Sequence, residues 1–392
     1  MISGSKLPPM LNFDNIIVVP AFSDTSSGNG AYGPIWPNWD EQVAARHCRN
    51  NIPTDKCPDT PDLIEEEINE PMVWGGVLHR HYGHFVSEIA PRILQSIRDG
   101  SSDQFLYAVD GRVVRSGSWK DVPGHFPPIA EWYGLQLENI KFCRKTIRVK
   151  HLEVAIQAEQ IGSKVPCDEY LDLVDQNVER NKLSPKNSGL IYVSRASMAP
   201  NKGGHAGANY LDSVLTELGI RVFKPEQFPL KQQLETFAGA DAMIFAEGSA
   251  LHGLQMLGRN LGSVGVLNRR KRGRLAYGQL LKRCEAISHF DAIDEFFSFY
   301  NAAGVARHGE GVATFDVDLL FRSFKQFGVS LEKYWDAAKY KNAVEEDLKL
   351  WISSSWQFLK RRGYPTEQKE LVELLTISGH EEAAAFARET IA

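Results

Sequence analysis

The most constraining feature of this chain is an alternation between Gly189 and Asn268. Four short apolar runs, GLIYVSR (189–195), IRVFKP (220–225), DAMIFAEG (241–248) and SVGVLN (263–268), are separated by amphipathic stretches. ANYLDSVLTELG stops at Gly219, as a helix with a glycine C-cap would. LKQQLETFAGA keeps Leu230, Leu234 and Phe237 on one side, and SALHGLQMLG reads as a third helix. Apolar strands joined by helices of roughly three turns are what a parallel, doubly wound sheet requires. Residues 186–300 are therefore expected to form a Rossmann-like domain.

A length of 392 residues exceeds what one core usually fills, so a second domain is expected. PMVWGGVLHR, QFLYAVDG and TIRVKHLEVAI read as strands, and PPIAEWYGL as a short helix between them. HYGHFVSEIAPRILQSIRDG carries Phe85, Ile89, Ile93 and Leu94 at helical spacing, with Pro91 marking a kink or break. These elements define an N-terminal α/β domain over residues 63–185. Residues 1–62 read as a loop-rich segment, turn-forming in composition but holding Trp36 and Trp39, and residues 301–392 as a helical region. A net charge of −5 argues against a dedicated nucleic-acid binder. No apolar run is long enough to span a bilayer, and the N-terminal residues show no secretion signal. The five cysteines include no CxxC and are expected to be reduced thiols in a cytosolic protein, a Cys48–Cys57 loop bridge being the alternative.

Three groups of residues could carry chemistry. His84 and Glu88 stand four apart, so on a helix the carboxylate can orient or charge the imidazole. The same letters contain H-x-H-x-x-H at His79, His81 and His84, compatible in ligand type with a metal site, although Gly83 stands where metallo-β-lactamase-like hydrolases carry Asp. The second group is Glu247, Gly248, Ser249 and His252, at the carboxyl end of a strand and the start of a helix. There backbone N–H groups favour a phosphate, and Glu247 suits a ribose diol. The third is Ser194 and Arg195 at the end of YVSR, with Lys202 in the loop that follows. Neither GxxxxGK[ST] nor GxGxxG is present. The basic run Arg269–Arg274 is a solvated face or a contact for an anionic ligand or membrane surface.

In this order the segments resemble glycosyltransferase family 61, also described as capsular polysaccharide biosynthesis proteins. The resembling pieces are GHFVSE, YVSR and GIRVFKPEQFPLKQQLETFAGADAMIFAEGSALHGLQML, within about residues 73–268. The resemblance implies a GT-B-like α/β fold, two Rossmann-like domains facing a cleft, to which the helical C-terminal tail read above is added. It also implies inverting transfer of a sugar from a nucleotide-sugar donor to a glycan or polysaccharide acceptor. On that reading His84 is the general base, with Glu88 as its support or its substitute. Ser194, Arg195, Lys202, Glu247, Gly248, Ser249 and His252 hold the donor, and neither a metal nor another cofactor is needed. The expected location is cytoplasmic, with peripheral association at the inner membrane face through Arg269–Arg274 left open. Two alternatives remain: a metal-dependent hydrolase using His79, His81 and His84, and a non-catalytic nucleotide-sugar- or glycan-binding protein.

Overall fold

The computed structural model describes residues 6–21, 33–78, 80–110, 114, 119–162, 164–301, 304–361 and 368–391. Two sheets with parallel cores dominate it. In the first, Met72–Val77 is buried along its whole length and pairs in parallel with Phe105–Ala108, which pairs in parallel with Ile140–Cys143. On the other side it meets Ile147–Val154, which also carries Glu66–Ile68 in parallel and Leu11–Val18 antiparallel. The antiparallel strand lies in the segment expected to be loop-rich. Its sequence LNFDNIIV breaks apolar alternation with Asp14 and Asn15, and half of an edge strand faces solvent.

The second sheet is parallel throughout, in the order Arg221–Phe223, Leu190–Val193, Ala242–Ala246, Ser263–Leu267 and Ile287–Phe290. Its first four strands are those read from the sequence, and Ile287–Phe290 adds a fifth at the edge. The helix Ala208–Glu217 ends as its sequence predicts: Gly219 takes φ +75° and its N–H reaches the Thr216 carbonyl at 3.0 Å. Ser249–Met256 is helical but wound as a 3₁₀-helix rather than an α-helix.

The segment after Met72–Val77 departs most from simple periodicity. Tyr82–His84 forms one α-helical turn, Phe85–Ile89 widens into a π-helical turn, Ala90–Arg92 tightens into 3₁₀, and Ile93–Asp99 is α-helical. Pro91 has no N–H to give, so the break falls where the sequence placed it. Wide turns of this kind are frequent at functional sites.

A small third sheet joins Gly204–His205, Val312–Phe315 and Ile293–Phe297, so the C-terminal region is not purely helical. The helices Val317–Lys325, Ala337–Lys360, Lys369–Ile377 and Glu381–Ile391 complete it. Leu320, Trp351 and Leu371 from these helices share a buried cluster with Tyr192 and Leu211, so the tail covers one side of the second sheet. The largest buried cluster links both sheets, running from Val73, Phe85 and Tyr107 to Ile191, Phe245 and Val266. All five cysteines are free thiols. Among the described residues no helix is long and apolar enough to cross a membrane.

Candidate active site

Glu88 sits on the π-helical turn with its side chain fully buried. One carboxylate oxygen lies 2.6 Å from His84 Nδ1, and the other accepts from Arg49 Nε at 2.5 Å and lies 3.4 Å from His47 Nε2. Burial alone would push this carboxyl up, but the hydrogen bonds from His47, His84 and Arg49 outweigh it and hold Glu88 well below the usual carboxylate range. A carboxylate only accepts, so in the neutral ring His84 Nδ1 carries the hydrogen and Nε2 is the basic nitrogen. The His84 side chain is 37% exposed, enough for a substrate to reach it.

Arg49 and His47 come from the turn-rich N-terminal segment, where no local spacing signals their role. They are held in place by long-range bonds. Gln157 donates to the Glu88 carbonyl at 2.8 Å and accepts from Cys48 N at 2.6 Å, while Arg92 donates to the carbonyl of Arg46 at 2.8 Å.

The second sheet brings its residues to the same place. Ser194 and Arg195, Glu247 and Gly248, and Arg269 all follow the carboxyl ends of parallel strands. Arg195 lies so close over Gly248 that a side chain there would collide with its guanidinium, which explains the glycine. Burial lowers the pKa of Arg195, with nearby Glu247 opposing, and the guanidinium remains charged. Lys202 is exposed on the adjoining loop.

Two expected donor contacts, one of them the cleft-lining Ser194, also have partners within the protein. Glu247 is buried: it accepts from Arg269 N at 2.7 Å and from the Arg270 guanidinium, and these partners hold its pKa down against burial. Glu247 thus braces the loop, and a ribose at its carboxylate would have to compete with Arg270. Ser194 is likewise buried and donates its hydroxyl to Asp212 at 2.9 Å, where Lys224 closes the group at 3.0 Å. The basic run is partly consumed in the same way. Arg269 donates to the carbonyls of Gly309 and Gly311, leaving Lys271, Arg272 and Arg274 facing outward.

The two halves touch at Gly83. A methyl group on it would stand 3.1 Å from His252 Cδ2 and 3.2 Å from both His81 Cε1 and Ser249 Cβ. His81 Nε2 lies 3.4 Å from Ser249 Oγ, and the rings of His81 and His84 have centroids 4.9 Å apart. Ser249 makes no helix cap. Desolvation, reinforced by His84, His252, His125 and Lys202, pushes His81 down to about 4. His81 and Ser249 form part of the wall of a cleft of about 790 Å³, with Arg195 and Lys202 on one side and Phe228 and Gln233 on another. His84, Glu88 and His252 stand behind this wall, adjoining His81 and Gly83. His79 lies outside the described residues. Among those described, no group of three or more His, Cys, Asp or Glu side chains is placed to hold a metal ion.

Fold and site together define an α/β protein with a ligand cleft at the carboxyl edge of a parallel sheet, flanked by histidines on one side and cations on the other. Residues 82–263 match the family described as Glycosyltransferase 61, which bears out the resemblance read from the sequence; that stretch belongs to the family. The activity this indicates is glycosyl transfer from a donor to an acceptor. No curated protein matches the chain.

Proposed function

We propose that the chain is an inverting glycosyltransferase that moves a sugar from a nucleotide-sugar donor to a glycan or polysaccharide acceptor. Its halves, residues 63–185 and 186–300, would work as the two Rossmann-like domains of a GT-B arrangement, the first towards the acceptor and the second towards the donor. The reading rests above all on one observation: His81, whose ring adjoins that of His84, and the Arg195–Ser249 edge, from opposite halves of the molecule, line one cleft.

The reaction is a single displacement. An acceptor hydroxyl oxygen bonds to the anomeric carbon as the bond from that carbon to the diphosphate oxygen breaks. The hydroxyl proton passes to His84 Nε2, and Glu88, ionised and fully buried, stabilises the imidazolium that results. Negative charge gathering on the departing nucleoside diphosphate is met by Arg195, Lys202 and the N–H groups after Gly248. These cations let the scheme run without a metal, so turnover should survive a chelator. Work in the cytoplasm, with Lys271, Arg272 and Arg274 towards an anionic membrane face, completes the reading.

A thermal-shift series with nucleoside diphosphates tests the donor half, because a ligand that binds only the folded chain raises Tm by mass action. A rise with one nucleotide base over the others is expected. A flat response to all of them removes the donor-site assignment.

A further inference from the structure

A fully buried ion pair outside the reaction scheme reaches the cleft through two more side chains. Glu159 follows the strand Ile147–Val154 of the first sheet, and Arg283 lies beyond the helix Tyr277–Leu280 on the other half of the molecule. Neither side chain is exposed at all. Arg283 donates to one Glu159 oxygen and, with its remaining N–H groups, to the carbonyls of Leu257 at 3.1 Å and Gln279 at 2.6 Å. The second Glu159 oxygen accepts from Gln255 Nε2 at 2.5 Å, and Gln255 Oε1 lies 2.7 Å from His252 Nδ1.

Hydrogen-bond polarity fixes this chain link by link. Burial raises the Glu159 pKa, but the Arg283 guanidinium opposes it and favours the carboxylate, whose oxygens can only accept, so Gln255 must turn its NH₂ group towards Glu159. Its carbonyl oxygen then faces His252 and can itself only accept, so Nδ1 must carry the hydrogen. In the neutral ring Nε2 is left with a lone pair. The Cδ2 edge of the ring, beside Nε2, is the edge that lies against Gly83. We infer that the Arg283–Glu159 pair, acting through the Gln255 amide, is a positioning relay that holds His252 in its Nδ1–H tautomer, with Nε2 left as an acceptor for a substrate hydroxyl that reaches past the His81–Ser249 wall. A neutral ring in this tautomer has no hydrogen for a phosphate, so His252 does not serve as the phosphate donor expected from the sequence. Burial, which pushes His252 down to about 4, keeps the ring neutral. The task given to Nε2 rests on the glycosyltransferase reading; the tautomer does not.

Long-range ¹H–¹⁵N correlation spectra of the full-length protein, labelled at histidine, read the tautomer directly, with the His252 signals assigned by their loss in His252→Asn. The wild type should show Nδ1 protonated and Nε2 bare. Gln255→Met keeps the volume and removes the amide; it should bring up the Nε2–H form and lower kcat roughly 10- to 100-fold, by analogy with partners that orient metal-ligating histidines. Paired replacement of Glu159→Gln and Arg283→Met removes the charges together, frees the amide to turn, and should give mixed tautomers. Protonated Nε2 in the wild type, or an unchanged Nδ1–H form in Gln255→Met or in the paired variant, overturns the relay. Should the protein transfer no sugar at all, the reaction assignment fails while the tautomer result still decides the relay.

Discussion

His84 and His252 stand behind the wall of one cleft, from opposite halves of the molecule, each hydrogen-bonded through Nδ1, yet the groups behind them differ. Glu88 behind His84 is a carboxylate tied to Arg49 and His47, whereas Gln255 behind His252 is an amide tied to the Glu159–Arg283 pair. An anion stabilises a protonated ring, which suits His84 to the proposed role of base. A neutral amide supplies orientation without charge, and His252 is also far more buried, so it is built to stay neutral and accept a hydrogen bond. The pairing teaches that two histidines in one cleft are told apart by what stands behind their Nδ1 atoms.

The comparison can be broken by substitution. The largest effect is expected from His84→Ala, which should reduce kcat about 10²- to 10⁴-fold in a transferase assay with the fold intact by circular dichroism. Full turnover in this variant would move the base elsewhere. Glu88→Gln keeps the shape and removes the charge, so it should cost about 10- to 100-fold in kcat. It should also lower stability, because Arg49 loses its anion.

The contrast extends to acid. Folded His252 and His205 titrate near 4 because of burial, whereas an unfolded histidine titrates at about 6.5. Between those values the unfolded chain binds more protons, so stability is full above about pH 6.5 and falls as pH drops towards 4. Glu88 acts in a lower window: its depressed carboxyl contributes fully above the usual carboxylate range, and that contribution is lost only as pH falls further. Urea midpoints across pH 7 to 4 should therefore decline in the wild type and decline less in His252→Gln; equal slopes would show that this ring is not held neutral. The smallest effect is expected from Gly83→Ala, whose methyl group must press His252, His81 and Ser249 apart by a few tenths of an ångström. About 1 kcal/mol of stability and a few-fold in kcat/KM should be lost.

Much of the second sheet was legible because its central strands are buried on both faces and read as unbroken apolar runs, as in AMIFA over Ala242–Ala246. Ile287–Phe290 escaped because ISHF is an edge strand, each residue only half-buried, with too little hydrophobic pattern to stand out. The winding of Ser249–Met256 was not legible either, since apolar residues three apart suit 3₁₀ and α turns alike. In the site, His84 and Glu88 were found because their spacing is local. Arg49 lies 39 residues from Glu88 along the chain, and Glu159 lies 96 from Gln255, distances at which no periodicity operates. Glu247 shows the converse. Its place at a strand end was legible, but its bonds to Arg269 and Arg270 depend on a loop more than twenty residues on, which local chemistry does not reveal.

The Glu159–Arg283 pair and the buried cluster shared by the two sheets also bear on how large acceptors enter. Swinging the sheets apart would strand a guanidinium and a carboxylate far from each other, at roughly 3–5 kcal/mol for a broken buried pair. An opened form would then hold less than about one molecule in a hundred at any moment. On the proposed reading a long sugar chain would thread into a mouth of nearly fixed width, so reach along the surface, rather than the gape of a hinge, would limit the length of acceptor that can be elongated.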